Sequence, residues 1–92
     1  MNGNGHKMPS LSRDYYWVCA IVKERPFVQG WHLTENEAYQ WGFSNLVNKG
    51  VDFEVLPFRS INRIKVRDMW KNILLERGKR LESVLARAKY KL

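Results

Sequence analysis

Ninety-two residues, of which 45% are hydrophobic, 13% aromatic and 27% charged, describe one small globular domain with no room for a second independent core. The composition excludes wholesale disorder and collagen-like repeats, and a lone cysteine, Cys19, excludes an internal disulfide scaffold. The net charge of +7 is unevenly spread: residues 1–58 carry five basic and six acidic side chains, net −1, whereas residues 59–92 carry eleven and three, net +8.

No apolar run approaches the roughly 20 residues of a membrane span, and Met1 to Asp14 holds no apolar stretch that would serve as a secretory signal. A soluble, cytoplasmic protein is the expectation. Residues 1–14, polar and rich in Gly and Asn, read as a flexible tail ahead of a single α+β domain over 15–92. Within that domain, residues 15–58 form a ββαβ unit and residues 59–92 a basic helical section.

Tyr15 to Lys23 is aromatic and β-branched, which predicts a strand. Both of its faces are apolar, as befits a central strand or one covered on both sides. Lys23 to Pro26 predicts a turn, and Phe27 to Leu33 the return strand of a hairpin. Thr34-Glu35-Asn36-Glu37 has capping-box spacing and opens a helix expected to reach about Asn48, with Gly50 as its left-handed stop. Val51 to Phe58 alternates apolar residues with Asp52 and Glu54, predicting a half-buried strand with its carboxylates outward. Pro57 ends this strand or places it at an edge.

From Ser60 the pattern turns helical. Val66, Met69, Trp70, Ile73 and Leu74 form one apolar stripe, and Leu81, Val84, Leu85, Ala88 and Leu92 a second. Gly78 lies between them, so the chain forms either two helices or one kinked helix; a helical pair is the expectation. The predicted fold is therefore a small three-stranded, mainly antiparallel sheet in a β-β-α-β unit followed by a C-terminal helical pair. Its expected core is Trp17, Val18, Ile21, Val22, Trp41, Phe43, Leu46, Phe53, Val55, Trp70, Ile73, Leu81 and Leu85.

A catalytic site is not expected. His6 and His32 stand far apart, with no Cys or His at metal-ligand spacing, so neither a metal nor another cofactor is predicted. Cys19 sits in mid-strand among apolar residues and reads as a small buried hydrophobe rather than a nucleophile. Asn2-Gly3-Asn4-Gly5 lacks the preceding strand and following helix that a phosphate loop requires. Asp52 and Glu54 share a strand face, where a solvated edge is the plainer reading than acid–base chemistry.

The basic section carries the functional lead. Arg59, Arg63, Arg67 and Lys71 recur every four residues and climb one side of a helix; Lys79, Arg80 and Arg87 continue the charge beyond Gly78. Cations at this spacing match a phosphate backbone, predicting non-catalytic binding of nucleic acid, DNA or RNA. Trp70 nearby is placed in the core rather than as a stacking platform. The alternative is a homo-oligomeric or partner-binding module with a basic rim, because Leu74, Leu81 and Ala88 stand seven apart and would form a seam on a continuous helix. A basic amphipathic helix lying on a membrane is a third reading, weakened by the absence of Trp or Phe from the second stripe.

Two family likenesses arise around Leu33-Thr34-Glu35-Asn36-Glu37-Ala38. Together with the aromatic strand pair before it, this segment resembles the arm-type DNA-binding domain of tyrosine recombinases, although that domain places three strands ahead of its helix. Gly30 to Phe58 resembles one β-α-β half of a sporulation-related repeat domain, a glycan-binding fold. Each likeness covers less than half the chain and rests mainly on the capping box, so no residue role is transferred from either.

Overall fold

The computed structural model describes residues 13–90, with side chains through residue 81. The chain order is β1 (Tyr15–Val22), β2 (Arg25–His32), α1 (Glu35–Asn45), a 3-10 turn (Val47–Lys49), β3 (Phe53–Phe58) and α2 (Arg63–Tyr90). The strands form one antiparallel sheet in the order β2-β1-β3, so the fold is α+β with the doubly apolar strand β1 at its centre. The expected tail lies outside the described residues up to position 12. Its last two residues are bonded to the domain: Arg13 donates to the Leu33 carbonyl at 3.1 Å and Asp14 pairs with Arg59.

The two faces of β1 seed two separate cores. On one, Tyr15, Trp17 and Cys19, joined by Val28, pack against Val66 and Trp70 of α2. On the other, Val18 and Ala20, joined by Val55, pack against Ala38 and Leu46 at α1. The sheet is thus sandwiched between the helices, and each large indole on the α2 side has its N–H satisfied: Trp17 Nε1 donates to the Ser60 carbonyl at 2.9 Å and Trp70 Nε1 to the Ala20 carbonyl at 2.8 Å.

The hairpin is tighter than expected. Arg25 and Pro26 already pair with Val22 and Ile21, which leaves Lys23 and Glu24 as a two-residue loop with φ of 51° and 65°. Positive φ at both positions matches the right-handed strand twist. Pro26 and Pro57 are accommodated because β2 and β3 are the two edges of the sheet. In β2 the register slips between Trp17↔Trp31 and Cys19↔Val28, so Gln29 and Gly30 together oppose Val18. This bulge turns both Val28 and Trp31 toward the α2 face.

Thr34 caps α1 as the capping-box spacing predicts, its hydroxyl accepting from the Glu37 amide at 3.2 Å. The helix ends at Asn45 rather than near Asn48, because the last residues tighten into the 3-10 turn that Gly50 closes at φ 71°. The start of α2 is set by Asn62, whose side-chain oxygen accepts from the Lys65 amide at 3.0 Å. Ser60 supports it by accepting from the Asn62 amide at 3.1 Å.

The expected helical pair is one helix of 28 residues running through Gly78. A glycine inside a helix costs about 1 kcal/mol, and Lys79-Arg80-Leu81 after it offers no N-capping side chain for a new helix. The expected core also needs correction. Trp17, Val18, Leu46, Val55 and Trp70 are buried, and Val22, Trp41, Phe53 and Ile73 partly so, but Ile21, Phe43 and Leu81 are 53%, 60% and 59% exposed. Ile21 lies beyond Ala20, the last β1 residue paired with β3; Phe43 leans over the β3 edge against Phe53; Leu81 stands where α2 has run past the sheet. Leu85 lies outside the described side chains. Glu54 points outward as expected, its side chain 43% exposed, and is bound there by Arg77 of α2.

Candidate nucleic-acid interface

Helix α2 lies along the edge strand β2 with a registration that two contacts define. At its start, the Arg63 guanidinium donates to the Gln29 carbonyl in the bulge at 2.6 Å. One and two turns on, Arg67 and Lys71 line a cleft with Arg25 and Pro26 at the hairpin end of β2. Eight helical residues rise about 12 Å, and four strand residues span about 13 Å, so the cation row keeps pace with the strand.

The cleft has a volume of about 250 Å3 and is lined by Arg25, Pro26, Arg67, Asp68 and Lys71. Three cationic residues from two elements border it with one carboxylate residue. Among the described residues, Arg25, Arg67 and Lys71 form no ion pair, with Asp68 or with any other carboxylate. Uncompensated positive charge beside an open cleft is an anion-attracting arrangement.

The other residues expected to bind nucleic acid are distributed differently. Arg59 pairs with Asp14 at 3.6 Å, with both side chains well exposed. Arg63 is engaged by the bulge carbonyl. Lys79 and Arg80 are exposed on the part of α2 beyond the sheet. At about 100° per residue, Lys79 lies about 80° round the helix from Lys71, and Arg80 on the opposite side from it. Arg87 lies outside the described side chains. Of the expected cations, Arg67 and Lys71 are brought together, and Arg25 joins them from the half of the chain that carries no basic excess. Its place becomes visible only once the hairpin register is known.

Arg77 is a second residue that spacing did not single out. It binds Glu54 of β3 through two hydrogen bonds, at 2.5 and 2.9 Å, and lies over the Trp70 ring at 5.5 Å from its centroid. The Arg77 hydrogen bond, with its charge, holds the Glu54 carboxyl below its ordinary range against the opposing effect of burial, and the arginine is correspondingly raised. A cavity of about 410 Å3 opens beside this pair between the ends of β1 and β3 and helix α2. Its charged lining is Asp52, Glu54 and Arg77, which gives it no positive excess to draw an anion.

The remaining chemistry-bearing side chains have structural settings. Cys19 is fully buried, and desolvation, helped by the nearby Glu54 charge, pushes its thiol up to about 12. His32 Nε2 lies 2.9 Å from Gln29 Oε1. Among the described residues no three His, Cys, Asp or Glu side chains converge as a metal site, and no helix is long and apolar enough to cross a membrane. Comparison with protein-family models, with curated proteins and with solved structures found no match, so the functional reading rests on these residues and their geometry.

Proposed function

We propose that the protein binds nucleic acid without catalysing a reaction on it, holding phosphates at the Arg25–Arg67–Lys71 cleft. The observation that carries this reading is the meeting of three cations from β2 and α2 with no ion-pair partner among the described residues. Cations unpaired on two packed elements break no ion pair on meeting a phosphate, and each contact releases condensed counterions. Contacts of this kind position the protein on the backbone and carry no base sequence, so binding is expected to be broadly sequence-tolerant. The reading is non-catalytic because the strongest nucleophile, Cys19, is a buried and protonated thiol. The test is a binding titration of the wild type and an Arg25→Gln/Arg67→Gln/Lys71→Gln variant with duplex and single-stranded oligonucleotides. Loss of binding in a variant that still folds supports the cleft, and retained binding removes it.

A second reading, a homo-oligomeric or partner-binding module with a basic rim, is favoured by one specific observation. Helix α2 is unbroken, and Leu75 and Leu81 on it are 54% and 59% exposed. Leu74 and Leu81 stand seven apart, as a helix seam needs, although Leu74 is partly buried against the chain's own core. Against it stands the repulsion of bringing two strongly basic helices together. Solution mass measured with and without nucleic acid separates the readings. A stable dimer without nucleic acid favours the seam, and a monomer that assembles only on an oligonucleotide favours the cleft.

A further inference from the structure

We infer that Trp31 is a stacking platform for an unpaired base, so that the nucleic acid this protein takes is single-stranded; the inference rests on the nucleic-acid reading above. Trp31 sits on the edge strand opposite Trp17, its partner in the ladder. Trp17 is 1% exposed beneath α2, whereas Trp31 is 38% exposed. The difference arises at the bulge: α2 begins at Arg63, anchored to Gln29, and leaves the residue beyond Gly30 outside its cover.

The ring is held in place. Tyr15 meets it edge to face, with centroids 5.2 Å apart and planes at 73°, which restrains the indole while part of it stays open to solvent. Two cations lie near the pair. Arg13 lies 5.6 Å from the Tyr15 centroid and is tied to the Leu33 carbonyl, and Arg63 reaches Gly30 next to Trp31. Asp14, next to Tyr15 in sequence, is paired with Arg59, while Glu35, four residues after Trp31, has no ion pair among the described residues. Along β2, Trp31 lies six residues from Arg25, or about 20 Å, so the aromatic and the phosphate cleft occupy the two ends of one strand-length track. A cationic track with a restrained aromatic at one end is the arrangement that holds single strands, because every base has a face to stack. A duplex keeps its bases stacked on one another and has none to offer.

The experiment compares the full-length wild type, Trp31→Leu and Trp31→Phe on a single-stranded oligonucleotide of about ten nucleotides and on a duplex of the same length. Expected are tighter wild-type binding to the single strand and a roughly tenfold or greater loss with Trp31→Leu. Substantial rescue by Trp31→Phe, duplex affinity unmoved by either change, and an unaltered salt slope complete the expected result. The rescue variant guards against a general loss of packing on Tyr15. Equal single-strand affinity of wild type and Trp31→Leu overturns the platform, as does equal loss on both nucleic acids, while the cleft reading survives in either case. Wild-type binding to neither nucleic acid overturns both.

Discussion

The Glu54 carboxylate of β3 accepts two hydrogen bonds from the Arg77 guanidinium of α2, which also lies over the Trp70 ring. This contact fixes the helix against β3 at the point where it leaves the sheet, just as the Arg63–Gln29 bond fixes its start against β2. It removes Arg77 from the cations free to meet a phosphate, whereas Arg25, Arg67 and Lys71, which line the cleft between β2 and α2, have no ion pair among the described residues.

The pH response of this pair follows from the lowered Glu54 carboxyl. A folded-state value below the ordinary 4.5 contributes stability that is present above that value and is lost as pH falls through the lowered one. Arg77→Gln is therefore expected to lower the thermal midpoint slightly near neutral pH. The gap from the wild type should close in strong acid and narrow in high salt, because both partners are accessible to solvent. Melts across the acid range, at low and high salt, check this.

Two glycines on helices have opposite expectations. A Cβ at Gly42 would lie 2.3 Å from the Phe53 ring, so Gly42→Ala forces that ring to move and should cost about 1–3 kcal/mol. Gly78 has nothing within 4 Å, so Gly78→Ala should raise stability or local helix protection by about 1 kcal/mol. Denaturant melts and amide hydrogen exchange read both. A loss of stability at Gly78→Ala would contradict the continuous helix.

The hairpin loop holds a non-glycine residue at φ 65° in Glu24. Replacing it with glycine relieves a left-handed penalty, and Glu24→Gly should stabilise the fold by about 1 kcal/mol, read in urea melts at constant slope.

Cys19 is expected to resist thiol reagents in the native state and to react freely when unfolded, because it is buried and its thiol titrates only at about 12. Timed labelling under native and denaturing conditions checks this; equal fast rates would remove Cys19 from the core.

The elements with strong local chemistry were legible from the chain. Two apolar faces marked Tyr15 to Val22 as central, and Thr34 with Glu37 marked the start of α1. What was not legible depends on contacts distant in sequence. Gly78 resembled a helix stop because its local cost is real, yet no capping side chain follows to make a break favourable. The outward setting of Glu54 was legible from the period of two, but its Arg77 partner on a later helix was not. Of the residues lining the proposed cleft, spacing singled out Arg67 and Lys71, together with Arg63, which a bulge carbonyl engages. It missed Arg25, since only the hairpin register carries that residue to the cleft.

The most direct test of the central claim is the salt dependence of nucleic-acid binding by the wild type and the Arg25→Gln/Arg67→Gln/Lys71→Gln variant. Each phosphate contact contributes about −0.9 to the slope of log K against log salt on B-DNA and about −0.7 on single strands. The account predicts steep weakening with salt for the wild type and a slope shallower by about 2 in the folded variant. The variant should behave similarly on unrelated base sequences. An unchanged slope in a folded variant, or no wild-type binding at low salt, would contradict it.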